Sequence, residues 1–239
     1  MSSLVVPARF NGPPHSGNGG WTSGAVAALL HPAGRTVQVR LSAPPPLDVP
    51  MPVQHDPESE RVVAMAAGTS DAVATASLVA SPFSDPPPAP VTWDVAGDAE
   101  QRYRGLTDHP FPTCFSCGTA RHDGLGLRPG PLTDRPEVTA CRWTPDEVDA
   151  ETTWAALDCP GGWSVDLAGR PMVLGTMTAQ LEQLPEPGQR HVVMGRALGQ
   201  DGRKAWTETA LYVLDPAPRV LARATAVWIA VDPAAVRPG

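Results

Sequence analysis

HSGNGGWTSGAVAALL, residues 15–30, changes character halfway along. A glycine-rich turn runs straight into small and aliphatic residues at helical spacing, which predicts a helix from about Trp21 to Leu30. Asn and Gly are ordinary residues at a helix N-terminus, so the turn reads as a cap with a flexible approach. It reads equally as a bare backbone that something must approach closely. Upstream, LVVPARF (4–10) is extended. Downstream, TVQVRLSA (36–43), RVVAMAAG (61–68) and AVATASLVAS (72–81) alternate with period two between turn residues and predict strands.

The second half repeats the order of helix, then strands. An extended VTACRWTP (138–145) precedes a helical ETTWAALD (151–158). The strands MVLGTMTAQL (172–181), HVVMGRALG (191–199), KAWTETALYVLD (204–215) and RVLARATAVWIAV (219–231) follow. The strongest internal echo pairs residues 60–81 with residues 190–215, each two strands around a tight turn. Proline-rich SPFSDPPPAPV (81–91) and DHPFPTCFSCG (108–118) lie between, where proline cannot donate to a sheet ladder. The expected division is an N-terminal module at 1–95, a linker at 96–110 and a C-terminal module at 111–239. One helix with several antiparallel strands, used twice, makes the fold class α+β, each curved sheet wrapping its helix and each copy completing the other's core.

Composition limits the partners. The 239 residues carry 42% hydrophobic and 18% charged side chains, a globular balance, with 29 prolines and 22 glycines for turns. Net charge is −7, and Lys204 is the single lysine among 18 basic residues, so no basic cluster tracks a phosphate backbone and no nucleic-acid partner is expected. No apolar run approaches the roughly 18 residues of a membrane span, and MSSLVVPARF lacks the order of a signal peptide; no membrane association and a cytoplasmic location are expected. Four cysteines do not make a disulfide scaffold in a chain of this length. The excess of arginine over lysine, with abundant alanine and proline, points through codon bias to a GC-rich bacterial genome.

FPTCFSCG (111–118), GLGLRPGP (124–131) and TWAALDCPGGW (153–163) resemble segments of a bacterial thioesterase-like branch of the tandem, or double, hotdog proteins in the acyl-CoA thioesterase and dehydratase superfamily. The resemblance covers nearly the whole chain and is most specific from Phe111 to Trp163. It implies a pseudo-dimer of two hotdog modules whose helices run antiparallel at the interface. It further implies a thioester of CoA or of an acyl carrier protein as substrate, hydrolysis as the reaction, and no cofactor. Homo-oligomerisation is expected as well, with the apolar strand RATAVWIAV (223–231) available as a sheet edge.

In related thioesterases a His-Gly-Gly turn opens the helix, its amide binds the thioester oxygen, and an acid two turns on comes from the facing subunit. Here that pattern is divided. Asn18-Gly19-Gly20 stands where His-Gly-Gly would, but the acid position holds Ala27; the second helix has Asp158 at the acid position, but Asp149-Ala150-Glu151 replaces the glycine turn. The resemblance therefore implies one composite site, with Asn18, Gly19 and Gly20 as oxyanion turn and Asp158 as base or nucleophile. A rival register aligns Gly19-Gly20-Trp21 with Gly161-Gly162-Trp163 and leaves Asp158 facing Ser16. The apolar and small flanks of Asp158, WAAL and CPGGW, predict a partly buried carboxyl with a raised pKa, which makes it a better base. Read alone, Asp158 is also a helix C-terminal Asp bonding to the CPGG backbone, with Pro160 ending the helix and a bend there exposing the acid.

Other signals carry less. His109, Cys114, Cys117 and His122 form an H-x4-C-x2-C-x4-H set, but no second knuckle pair follows, so buried thiols are expected rather than a metal. Cys159 reads as core filling, since no partner base adjoins it. His15, beside the glycine turn, and Trp21, Trp154 and Trp163 are substrate-binding candidates; the tryptophans equally build core. Arg203-Lys204 is a candidate for CoA phosphates or a solvated turn. Two alternatives to hydrolysis stay open: a hotdog dehydratase or hydratase using His15 or His191, and a non-catalytic binder of acyl-CoA or a hydrophobic metabolite.

Overall fold

The computed structural model describes residues 2–32, 34–83 and 85–232. In chain order these form β1 (Ser3–Leu4), α1 (Gly19–Ala28), β2 (Val37–Leu41), β3 (Met51–Asp56), β4 (Arg61–Met65) and β5 (Ala72–Leu78). There follow α2 (Trp93–Glu100), β6 (Gly130–Pro131), β7 (Val138–Trp143), α3 (Ala150–Trp163), β8 (Met172–Leu181), β9 (His191–Asp201), β10 (Lys204–Val213) and β11 (Arg219–Ala230). The strands make one sheet of 11 in the order β1-β3-β4-β5-β2-β8-β11-β10-β9-β7-β6. Its halves mirror each other across the antiparallel β2–β8 pair, where Val37 lies opposite Ala179 and Arg40 opposite Thr176. Around that seam β5 corresponds to β11, β4 to β10, and β3 to β9. The sheet is thus continuous across the two copies.

α1 and α3 pack together inside this curved sheet, and they start in equivalent ways. Asn18 caps α1 by accepting the Trp21 N–H, and Asp149 caps α3 by accepting the Thr152 N–H in a reciprocal capping box. Both faces of α1 are buried, and most of α3 as well, as befits helices enclosed by sheet and by each other. Their approach is very close. A Cβ on Gly20 would lie 2.6 Å from Asp158 Cβ and 2.7 Å from the Trp154 carbonyl oxygen, and one on Gly24 would lie 2.8 Å from Glu151 Cα. As the number rises on α1 it falls on α3, so the helices are antiparallel. Two glycines one turn apart let the backbones meet, which is one answer to the bare turn in the sequence.

α2 covers the other face of the C-terminal half. Its Ala96 and Ala99 form a second core with Val138 and Ala140 of β7, Val192 and Met194 of β9, and Ala210 and Tyr212 of β10. Glu100 fastens it, accepting the Arg142 backbone N–H at 2.8 Å and its guanidinium at 2.7 and 3.0 Å. This explains why β7, the first five residues of β9 and the last seven of β10 are buried almost residue after residue, whereas β4 alternates between buried and less buried positions.

Three local expectations change. α2 lies in the segment read as irregular, nucleated by the Thr92 cap on the Val95 N–H. α3 does not stop before Pro160 but runs through it to Trp163, so no bend exposes Asp158, and the partial burial expected from its flanks is nearly complete. β11 is no edge: it pairs with β10 on one side and β8 on the other, so RATAVWIAV lies inside the sheet.

Candidate active site

The N-terminus of α1 meets the middle of α3. Asn18 sets the geometry: its Oδ1 accepts the Trp21 N–H at 2.8 Å, and its Nδ2 donates to Cys114 Sγ at 3.6 Å. One residue into α1, the Gly20 N–H donates to Asp158 Oδ2 at 2.9 Å. The first N–H groups of a helix have no partner within the helix, and the partial positive charge there suits a carboxylate. Asp158 therefore acts as a cap supplied by the other module, the pairing of the first register and not of its rival facing Ser16.

Asp158 is only 3% exposed, and its second oxygen, Oδ1, has no hydrogen-bond partner among the described residues. Burial pushes its carboxyl up to about 7, with negative charge at Cys114 adding to the effect; the Gly20 N–H and the Asn18 amide oppose it. A buried carboxyl with one held and one unpartnered oxygen is poised to take or give a proton at Oδ1.

A cavity of about 510 Å³ opens beside it. Gly19, Asp158 and the thiols of Cys114, Cys117 and Cys159 contribute to its wall; the rest is largely apolar, with Phe111, Trp163, Leu174 and Trp228 among its lining. Gly19 occupies the first turn of α1 with its backbone against Leu174 of β8. Of the residues singled out in the sequence, Asn18, Gly19, Gly20 and Asp158 thus come together. Trp163 lines the cavity, and exposed His15 lies at its rim. Trp21 and Trp154 belong to the core: Trp21 stacks on Phe10 at 4.1 Å, and Trp154 packs under Gly24. Arg203 is tied to the Ala230 carbonyl, His122 is exposed, and fully buried His191 stands beside Trp143. Neither His191 nor Arg203 lines the cavity.

The sequence reading missed the gathering of Cys159 with Cys114 and Cys117. The two loop cysteines signal themselves through C-x2-C-G, but the third arrives from α3, 42 positions beyond Cys117. The loop is fastened to the helix where Ser116 Oγ donates to the Ala155 carbonyl at 2.9 Å. Among the three thiols, hydrogen bonds from Cys117 and Cys159 hold Cys114 well below the ordinary thiol range.

No family model matches the sequence, and no curated protein matches it. Solved structures match nearly end to end. A conserved protein of unknown function with a hot dog fold from Alicyclobacillus acidocaldarius superposes with TM-score 0.64 at 15% identity, covering 96% of this chain and 92% of that one. A candidate thioesterase from Novosphingobium aromaticivorans gives 0.61 at 13% identity over 96% and 95%. The tesB protein of Mycobacterium avium subs paratuberculosis gives 0.55 at 11% over 97% and 91%. At these identities the likeness establishes architecture, and with the mirrored sheet and the antiparallel helix pair it makes this chain a double hotdog protein.

Proposed function

We propose that the chain hydrolyses an acyl thioester, carried by CoA or an acyl carrier protein, at a single composite site between its two modules. The observation that carries this reading is the Gly20–Asp158 pair: a carboxylate from α3 fixed by the first turn of α1, on a residue that lines an apolar cavity and whose second, buried oxygen has no hydrogen-bond partner among the described residues. Water adds to the thioester carbonyl carbon as its proton passes to Asp158 Oδ1. Negative charge then builds on the carbonyl oxygen, and the first turn of α1 offers backbone N–H groups to it. Gly19 is the turn residue at the cavity, so the oxyanion role falls to Gly19, while Gly20 positions the acid and Asn18 holds the turn in shape. Collapse breaks the C–S bond, and the departing sulfur takes the proton back from Asp158. The products are a carboxylic acid and a thiol. The apolar lining suits an aliphatic or aryl acyl group.

A panel of acyl-CoA and acyl carrier protein thioesters, assayed for free thiol release, tests the proposal. Turnover of at least one ester that is lost in Asp158→Asn supports it. Saturable binding of the esters without thiol release would replace it with the binding-protein reading. The dehydratase reading has less behind it, because among the described residues no histidine hydrogen-bonds to Asp158: His191 does not line the cavity, and exposed His15 lines it from the loop before α1.

A further inference from the structure

The three cysteines at the cavity wall have a geometry that core filling does not require. Cys114, Cys117 and Cys159 have their sulfur atoms all within 4.8 Å of one another, and each side chain is buried. Cys114 Sγ and Cys159 Sγ are 3.8 Å apart, and all are free thiols. A tetrahedral zinc with Zn–S bonds of about 2.3 Å has S···S edges of about 3.8 Å. One edge is already at that length, and small side-chain rotations would bring in the third sulfur.

A second observation concerns what surrounds the sulfurs. Two buried N–H groups from different elements are aimed at them: Asn18 Nδ2 at Cys114 (3.6 Å) and Trp163 Nε1 at Cys117 (3.4 Å). Sulfur is a weak acceptor as a thiol and a much better one as a thiolate, so buried donors converging on a thiol cluster suit anionic sulfur. Half-buried His109 is a donor here rather than a ligand. Its Nδ1 accepts the Phe111 N–H at 3.0 Å, which leaves the ring proton on Nε2, 3.1 Å from the Cys117 carbonyl oxygen and 3.5 Å from the Cys117 sulfur. The loop is also shaped as a knuckle: the Gly118 N–H closes back on the Cys114 carbonyl at 2.8 Å, and a Cβ there would collide with that oxygen at 2.5 Å.

We infer that Cys114, Cys117 and Cys159 form a three-thiolate site for a zinc ion, with Asn18 and Trp163 donating to its sulfurs and His109 holding the Cys117 backbone beside them. No fourth His, Cys, Asp or Glu completes the group among the described residues, and all three sulfurs border the cavity, so the fourth position opens there to water or to a ligand atom. Thiolate ligation with one open position is the arrangement of a zinc that meets small molecules rather than one that merely staples a fold. The inference stands apart from thioester hydrolysis, because zinc binding is read without turnover.

The test uses the full chain, freed of metal and reduced, titrated with Zn²⁺ and separately with Co²⁺. The expected result is one zinc per chain by elemental analysis, with sulfur-to-cobalt charge-transfer absorption and the intense visible bands of tetrahedral Co²⁺. Cys159→Ser and Cys117→Ser are expected to weaken zinc binding by about 100-fold or more, and Trp163→Phe, which keeps the ring and removes the N–H, by about 10-fold. Cys141→Ala is the control: Cys141 is buried on β7, outside the trio, and the variant should bind zinc as wild type does. Circular dichroism separates lost ligation from lost folding, and the cobalt spectrum of wild type stands whatever the variants do. Three reduced thiols that take up less than a tenth of an equivalent of zinc would overturn the inference. So would a cobalt complex lacking the sulfur charge-transfer band, or undiminished binding by folded Cys159→Ser.

Discussion

α1 and α3 are the same element used twice, yet their two meeting points differ. At one end the Gly20 amide donates to Asp158. At the mirror-related end Glu151 stands where Gly20 would be and Ala27 where Asp158 would be. The sheets differ in the same sense: the C-terminal half is covered on one face by α3 and on the other by α2, while in the N-terminal half Val63 and Met65 of β4 stay half-buried and β3 ends in the exposed residues Gln54, His55 and Asp56. Fusion of two copies removes the requirement that both ends of a symmetric interface do the same work. One end can hold a buried carboxylate, a cost it offsets with a helix N-terminus, while the other end simply packs.

The most forceful way to break this asymmetry is Asp158→Asn. The amide keeps shape and can still accept from Gly20, so the fold should persist with a near-unchanged melting temperature, while thiol release falls by about 100-fold or more, the scale of a positioned general base. Full activity at an unchanged melting temperature would reject the role of Asp158.

Gly20→Ala probes the same contact through packing. The new methyl meets Asp158 Cβ and the Trp154 carbonyl well inside contact distance, so we expect about 1–3 kcal/mol of destabilisation in denaturant titration. Truncating the mirror position, Glu151→Ala, should cost far less. Equal losses at both ends would mean that the interface is symmetric in energy despite its sequence.

Glu100→Gln tests the difference between the sheets. It leaves the Arg142 guanidinium without its carboxylate partner, and loosening of α2 from β7 is expected, with about 1–3 kcal/mol lost. Amide exchange should rise in α2 and β7 and stay unchanged in β3 and β4. The smallest expected effect on catalysis belongs to Ala27→Asp: no gain in thiol release, because Glu151 brings a carboxylate, not a glycine amide, to that end. Ala27 is 1% exposed, so a lower melting temperature should accompany it. Increased turnover would show that the mirror end needs only an acid.

Local pattern alone determined much of this architecture. Apolar and β-branched runs between turn residues put β8 at residues 172–181, and β10 and β11 within a residue or two of their ends, because such side chains suit a pleated, buried surface whatever the strand pairs with. Asn18 before a run of small residues gave away the start of α1 within two residues, since capping is a local bond. β3 went unread because Pro52 and polar residues fill a short strand that pairs only with β1 and β4. α2 went unread because WDVAGDAE is short, contains Gly97, and follows a proline-rich run; its helix depends on the Thr92 cap and on packing against β7. The pairing of Asp158 with the start of α1 followed from comparing the two repeats and its partial burial from its apolar and small flanks, but the near-complete enclosure did not, because that depends on Pro160 being carried inside a helix held between sheet and partner helix. The thiol cluster was decided by tertiary structure alone. Cys159 is far from the C-x2-C loop along the chain, and spacing rules are blind to a ligand delivered by another element; only the seating of the loop on α3 brings the three sulfurs together.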